Sequence, residues 1–143
     1  VTAGNFLLLA DRDFYKNLTF HRVVPDFVIQ GGDPAGDGSG GPGWSIPLEH
    51  PGRIHHERGI LSMARAAVPD SAGSQFFVCL SNNVNVQSLD SMQGGYAAFG
   101  KVTEGMDVAQ SISVGDALKG VEIVSESEHA DKAREAAKEA RIE

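Results

Sequence analysis

Arg22, Gln30 and Gln75 carry the polar chemistry of three segments: residues 20–33 (FHRVVPDFVIQGGD), 59–66 (GILSMARA) and 73–78 (GSQFFV). In extended chain, alternate side chains point to opposite faces. Gln75 and Phe77 therefore share one face, and Phe76 and Val78 the other. Ser62, Ala64 and Ala66 likewise share a face opposite Leu61 and Met63. Small side chains there let another backbone lie close. A floor of small residues, an aromatic wall, one guanidinium and two amides suit an extended peptide that carries one apolar side chain.

Other chemistries are weaker. Gly36-x-Gly38-x-x-Gly41 formally matches a dinucleotide fingerprint, but Pro42-Gly43-Trp44 follows it instead of a helix. It reads as a turn-rich loop. His50, His55 and His56 with Glu57 invite a metal reading. Adjacent histidines point opposite ways on a strand and no spaced second pair appears, so a polar surface loop and no metal site are expected. Ser, His and Asp all occur, yet no Gly-x-Ser-x-Gly elbow encloses a serine, which argues against a hydrolase triad. Cys79 reads as a small core filler.

The elements that must hold these residues are short. Thr2 is expected to cap a helix bearing Phe6, Leu7, Leu9 and Ala10, ended by Asp11-Arg12-Asp13. Strand character marks residues 19–24, 27–30, 60–66, 75–80 and 98–102, with a last strand at 121–124. A second helix is expected over 104–112 with Thr103 as cap. Many short strands with a helix near each end point to a mainly-β barrel or sandwich with helical covers. From Glu126 onward the chain changes. Ser125-x-x-Glu128 has the form of a capping box, and Ala130, Ala133, Ala137 and Ala140 recur at helical spacing. Alanines bury little area, so a solvated helix is expected there.

Composition bounds the function. The 143 residues suit one domain, and 41% apolar content is enough for a core. With 12 basic against 19 acidic residues and a net charge of -7, the chain is a poor nucleic-acid binder. No apolar run approaches the roughly 18 residues of a membrane span. The single cysteine excludes an intrachain disulfide and weakly favours a reducing, cytoplasmic setting.

The three segments, together with residues 99–108 (FGKVTEGMDV), resemble the signature segments of the cyclophilins, the peptidyl-prolyl cis-trans isomerases. The likeness spans Thr2 to Ile112. It implies a mainly-β fold, a cyclophilin-like antiparallel β-barrel with helices capping the ends, here lacking the family's first two strands. Residues 1–125 would then be an N-terminally incomplete isomerase domain and 126–143 a charged helical tail. By motif position Arg22 matches the catalytic arginine, with Phe27, Val28 and Gln30 as the groove residues that follow it. Ala64, Arg65 and Ala66 match the strand on which substrate backbone lies. Gln75 and Phe77 match the amide and aromatic of the proline pocket, and Leu89 and Tyr96 its rim. Gly38 and Ser39 lie where the family has a secondary pocket. No cofactor is implied. The implied partners are proline-containing peptides and unfolded proteins, with no nucleic acid and no membrane. Arg65 stands where asparagine is common, a position whose backbone the family uses. Ser88 replaces a frequent aromatic, so weak cyclosporin binding is expected. The rival reading is a proline-peptide-binding or chaperone module with little turnover.

Prolyl isomerisation suits such a site. Rotation about a peptide bond costs ~18–20 kcal/mol through lost resonance. At proline the two isomers differ by only about 0.5–1 kcal/mol. No bond breaks, so the catalyst must favour the twisted amide. Twisting returns a lone pair to the proline nitrogen, to which a guanidinium can donate, and lowers the amide dipole, which an apolar slot favours. Gln30 either orients Arg22 or holds a substrate carbonyl.

Overall fold

The site is carried by a sheet whose register brings its residues into one row. The computed structural model describes residues 1–49 and 54–143, so His50 lies outside the described residues. In chain order the elements are α1 (Thr2–Asp11), β1 (Leu18–Thr19), β2 (Arg22–Val24), β3 (Val28–Gly31), β4 (Ile60–Met63), β5 (Phe76–Cys79), α2 (Val84–Gln87), β6 (Ala98–Lys101), α3 (Met106–Ser111), β7 (Ala117–Leu118) and α4 (Ala130–Ala140). Single 3₁₀ turns span Ser88–Asp90 and Met92–Gly94.

Strands β2-β3-β5-β4-β6 form an antiparallel five-stranded sheet, and β1 pairs with β7. Residues directly opposite each other in neighbouring strands project to the same face. Arg22 faces Gln30, Gln30 faces Phe77, Phe77 faces Ser62, and Ser62 faces Ala98. The period of two then divides the apolar residues between two clusters. Val28, Ile60, Phe77, Cys79, Val86, Leu89 and Ala98 gather on the face of that row. Ile29, Met63, Phe76 and Val78 pack on the other with Leu9, Tyr15 and Phe20. There Phe6 of α1 meets Phe76 edge-on at 5.6 Å and Phe99 at 5.0 Å. Tyr15 donates its hydroxyl to Ser74 O at 2.8 Å, and burial raises its pKa. Each such aromatic, removed from water, stabilises the fold by roughly 1.5–3 kcal/mol.

Several local expectations are corrected. Thr2 is not the cap of α1 but its first residue. Its N–H and hydroxyl both donate to Glu49, whose carboxylate stands at the helix N-terminus and also meets the Val1 amine at 3.0 Å. Residues 19–24 are not one strand: Phe20 and His21 lie outside either strand, Phe20 still bonding Gly115 and Asp116 next to β7, and β1 and β2 serve different sheets. Residues 121–124 form no strand; the edge partner of β1 is Ala117–Leu118. Helix α3 starts at Met106 after a left-handed Gly105, not at a Thr103 cap. The Ser125/Glu128 capping box does not form; Ser127 Oγ instead accepts the N–H of His129 ahead of α4.

The tail helix is not solvated all round. Ala130 and Ala137 are buried, and α4 packs on α1. Arg134 pairs with Asp11, Glu126 and Asp131, fastening the helix at its side. The approach depends on Gly4, where a Cβ would lie 2.0 Å from the carbonyl oxygen of Ala133. Alanine normally favours a helix over glycine by about 1 kcal/mol. Here backbone would have to move, which costs about 1–3 kcal/mol. Gly4→Ala is therefore expected to lower the melting temperature and loosen α4, read by thermal unfolding and by amide exchange in 130–140. An unchanged or raised melt would contradict this packing.

Candidate active site

Two adjoining clefts open along the row of residues set by the sheet. The first, about 260 Å³, is lined by Arg22, Phe27, Val28, Gln30, Ala64, Arg65, Phe77, Leu89, Met92 and Tyr96. The second, about 350 Å³, shares Gln30, Ala64 and Arg65 and adds Gly38, Ser39, Ala66 and Gln75, with Trp44 and Ser71 among its other walls. Every residue that the resemblance assigned to the groove therefore lines one cleft or both.

The first cleft pairs an apolar slot with a cation at its edge. Phe77 and Leu89 are buried and meet Val28, while Tyr96 stands edge-on to Phe77 at 5.9 Å. Arg22 is exposed on β2 and donates from Nη1 to Gln30 Oε1 at 3.3 Å. Gln30 Nε2 donates to Gln75 Oε1 at 3.0 Å, and Gln75 Nε2 donates to the carbonyls of Gly38 and Gly40, each at 2.9 Å. Because Gln30 spends its oxygen on Arg22 and its amide on Gln75, its place is that of a connector between the guanidinium and the loop.

Asp33 holds that loop. Its carboxylate accepts N–H bonds from Ala35 at 2.9 Å, Asp37 at 3.1 Å and Gly38 at 2.6 Å. Burial pushes its pKa up, but these amides and that of Gly40 outweigh it and hold the carboxyl below its ordinary value. A Cβ on Gly40 would come within 2.3 Å of Asp33 Oδ1, so the turn closes only around glycine. The Gly36-x-Gly38-x-x-Gly41 stretch is thus a loop wrapped on a carboxylate, as expected of a turn. Asn5 of α1 fixes the far wall, donating to Gly73 O at 2.8 Å and accepting from Trp44 Nε1 at 3.0 Å.

Arg65 does more than lend its backbone. Its guanidinium donates to Ala66 O at 3.0 Å, Gln93 O at 2.9 Å and Gly95 O at 2.7 Å, and stacks on Tyr96 at 4.6 Å. It clasps the rim turn, in which Gln93 takes a positive φ of 52°, an uncommon conformation for a side chain with Cβ.

The histidines fall differently from the surface loop expected of them. His55 is exposed, but His56 is 2% exposed and hydrogen-bonded at both ring nitrogens. Among the described residues no group of His, Cys, Asp and Glu is arranged to hold a metal. Cys79 is buried, and burial, with the nearby Asp90 charge, pushes its thiol up to about 12. Among the described residues no helix is long and apolar enough to cross a membrane. Four residues of this region escaped the sequence reading. Asp33 lies inside a motif yet acts through its backbone partners, Met92 follows no periodic pattern, and Trp44 and Ser71 reach the second cleft only through tertiary packing. The Pro42-Gly43-Trp44 turn was the one signal for Trp44.

Residues 1–134 match the family model described as cyclophilin type peptidyl-prolyl cis-trans isomerase/CLD. Peptidyl-prolyl cis-trans isomerase B of Bacillus subtilis is 46% identical over 123 residues, covering 85% of this chain and 81% of the relative. A peptidyl-prolyl cis-trans isomerase of Helicobacter pylori is 45% identical over 123 residues, covering 82% and 70%. A cyclophilin type peptidyl-prolyl cis-trans isomerase of Cryptosporidium parvum, solved in the presence of the dipeptide Ala-Pro, superposes with a TM-score of 0.65 at 34% identity, covering 83% of this chain and 78% of that one. A sheet bearing an arginine beside an apolar slot, and this degree of likeness, lead to one conclusion: the chain belongs to the cyclophilin-type peptidyl-prolyl cis-trans isomerases.

Proposed function

We propose that the first cleft accelerates rotation about Xaa-Pro bonds by binding the twisted amide more tightly than either planar isomer. The observation that carries this reading is the Arg22 guanidinium held by Gln30 at the edge of a slot walled by Phe27, Phe77 and Leu89. The proline ring sits in the slot, and Arg22 donates to the prolyl nitrogen as its lone pair returns. That bond barely exists in the planar amide, so it lowers the barrier rather than deepening ground-state binding. Val28 and Tyr96 complete the enclosure. Gln30 and Gln75 orient the cation, and Ala64, Arg65 and Ala66 lie along the peptide backbone. The second cleft, with Gly38 and Ser39 on its edge, takes a neighbouring side chain of the same peptide. Substrates are proline-containing peptides and unfolded proteins, a reading supported by the Cryptosporidium relative having been solved in the presence of the dipeptide Ala-Pro. Residues 1–125 carry this activity and 126–143 cover α1. The lone buried thiol of Cys79 supports a cytoplasmic site of action.

Magnetisation exchange between cis and trans forms of a short Xaa-Pro peptide tests this. Catalytic amounts of the chain should speed the exchange. Binding without faster exchange would select the peptide-binding module instead. A guanidinium keeps its charge throughout the ordinary range, so kcat/KM should be flat between about pH 6 and 8. A sigmoidal profile across that range would show that a titrating group, rather than the guanidinium, controls the reaction. Ser88 stands beside Leu89 where an aromatic is frequent in the family, so cyclosporin should inhibit only weakly in the same assay; nanomolar inhibition would contradict that assignment.

A further inference from the structure

Behind the slot lies a buried imidazole that the isomerisation chemistry does not use. His56 Nδ1 and its backbone N–H both reach Asp90 Oδ1 at 2.8 Å, and its Nε2 lies 2.8 Å from Ser62 Oγ. Burial raises the Asp90 pKa, but bonds from His56 and His55 outweigh it and keep this carboxyl below its ordinary value. An ionised Asp90 only accepts, so Nδ1 carries a proton. Ser62, His56 and Asp90 are thus joined in the order of a hydrolase triad. Ser62 is 0% exposed, however, so no substrate reaches its hydroxyl.

The three partners of the ring sit on three different walls. Asp90 ends the 3₁₀ turn that carries Leu89. Ser62 lies opposite Phe77 in the β4–β5 register. The imidazole itself stacks on Phe77, with centroids 6.1 Å apart and planes 22° off parallel. His56 does not line the slot, yet it touches or is bonded to what holds each side of it.

We infer that His56 is a positioning residue of the isomerase groove: by bridging Asp90 to Ser62 and stacking on Phe77, it fixes the spacing of Phe77 and Leu89 around the proline ring. The inference rests on the isomerase reading of that slot.

The test compares His56→Leu with His56→Asn, whose amide sits near the place of Nδ1 and retains a donor for Asp90. Leu9→Val, in the core cluster on the opposite face, serves as a destabilised control. In His56→Leu, kcat/KM for an Xaa-Pro peptide should fall about tenfold and the Phe77 ring resonances should move. His56→Asn should fall less. Leu9→Val should lose melting temperature yet keep kcat/KM within about twofold and leave Phe77 unmoved. Unchanged kcat/KM and Phe77 signals in the His56 variants would overturn the inference. So would an activity loss no greater than that of Leu9→Val at equal loss of stability. If His56→Leu does not fold, His56→Asn gives the decision. Failure of the wild-type chain to speed exchange would count against the parent reading alone, because the Phe77 resonances and the affinity for a proline peptide still report on His56.

Discussion

Replacing Arg22 by alanine is expected to lower kcat/KM for a short Xaa-Pro peptide about a hundredfold. A hydrogen bond from a charged donor contributes about 1.5–3 kcal/mol when its partner is out of water. Each 1.36 kcal/mol off the barrier is about tenfold in rate. Affinity for the same peptide at equilibrium should change far less, roughly threefold or under, because the prolyl nitrogen of a planar amide offers no lone pair. That split between rate and binding marks a contact made only in the twisted state. Arg22→Lys should lose at least about tenfold, since an ammonium cannot both engage Gln30 Oε1 and present a planar fork. Magnetisation exchange gives the rates and peptide titration the affinities. Equal losses in both would assign Arg22 to ordinary binding instead.

Asp33→Ala is the second large change expected. The carboxylate collects the amides of Ala35, Asp37 and Gly38, and with them sets the carbonyls of Gly38 and Gly40 that hold Gln75. Removing it should cost roughly 2–4 kcal/mol, as several donors lose one acceptor at once. It should also lower kcat/KM about tenfold, because Gln75, Gln30 and Arg22 lose their anchor. The pH dependence follows from the depressed pKa. Asp33 contributes fully above the ordinary carboxylate value and loses that contribution as pH falls through its lower folded value. Wild-type stability should therefore drop on acidification below about pH 4, and Asp33→Asn should flatten part of that fall. Glu49 and Asp90 are depressed too, which leaves a residual slope in the variant. Urea melts from pH 3 to 7 read this out. A constant gap between the two proteins across that range would show that Asp33 is no acid-sensitive anchor.

Much of the site was legible in the sequence because its residues lie on strands, where a period of two assigns faces without knowledge of the partner. Gln75 and Phe77 were placed on one face by alternation alone, and they do line the two clefts while Phe76 and Val78 face the other core. The register was not legible. Nothing in the order of residues says that Gln30 stands opposite both Arg22 and Phe77, the arrangement that turns three separated motifs into one row. His56 was misplaced for a related reason. It is a polar residue in a polar stretch, and Asp90, distant in sequence, and Ser62, on β4, make its burial tolerable. The tail was misjudged because an alanine stripe buries little area. What seats α4 is a glycine on another helix, Gly4, which admits a close backbone approach that no hydrophobicity pattern records. Arg65 shows the converse: its side chain works through four carbonyls on two loops, a role that residue type alone does not reveal.

The most direct check is a crystal structure of the chain with a short Xaa-Pro peptide. The proline ring should fill the space between Phe27, Phe77 and Leu89, with an Arg22 Nη nitrogen within about 4 Å of the prolyl nitrogen. A guanidinium swung out toward solvent, or a peptide seated away from that slot, would contradict the account.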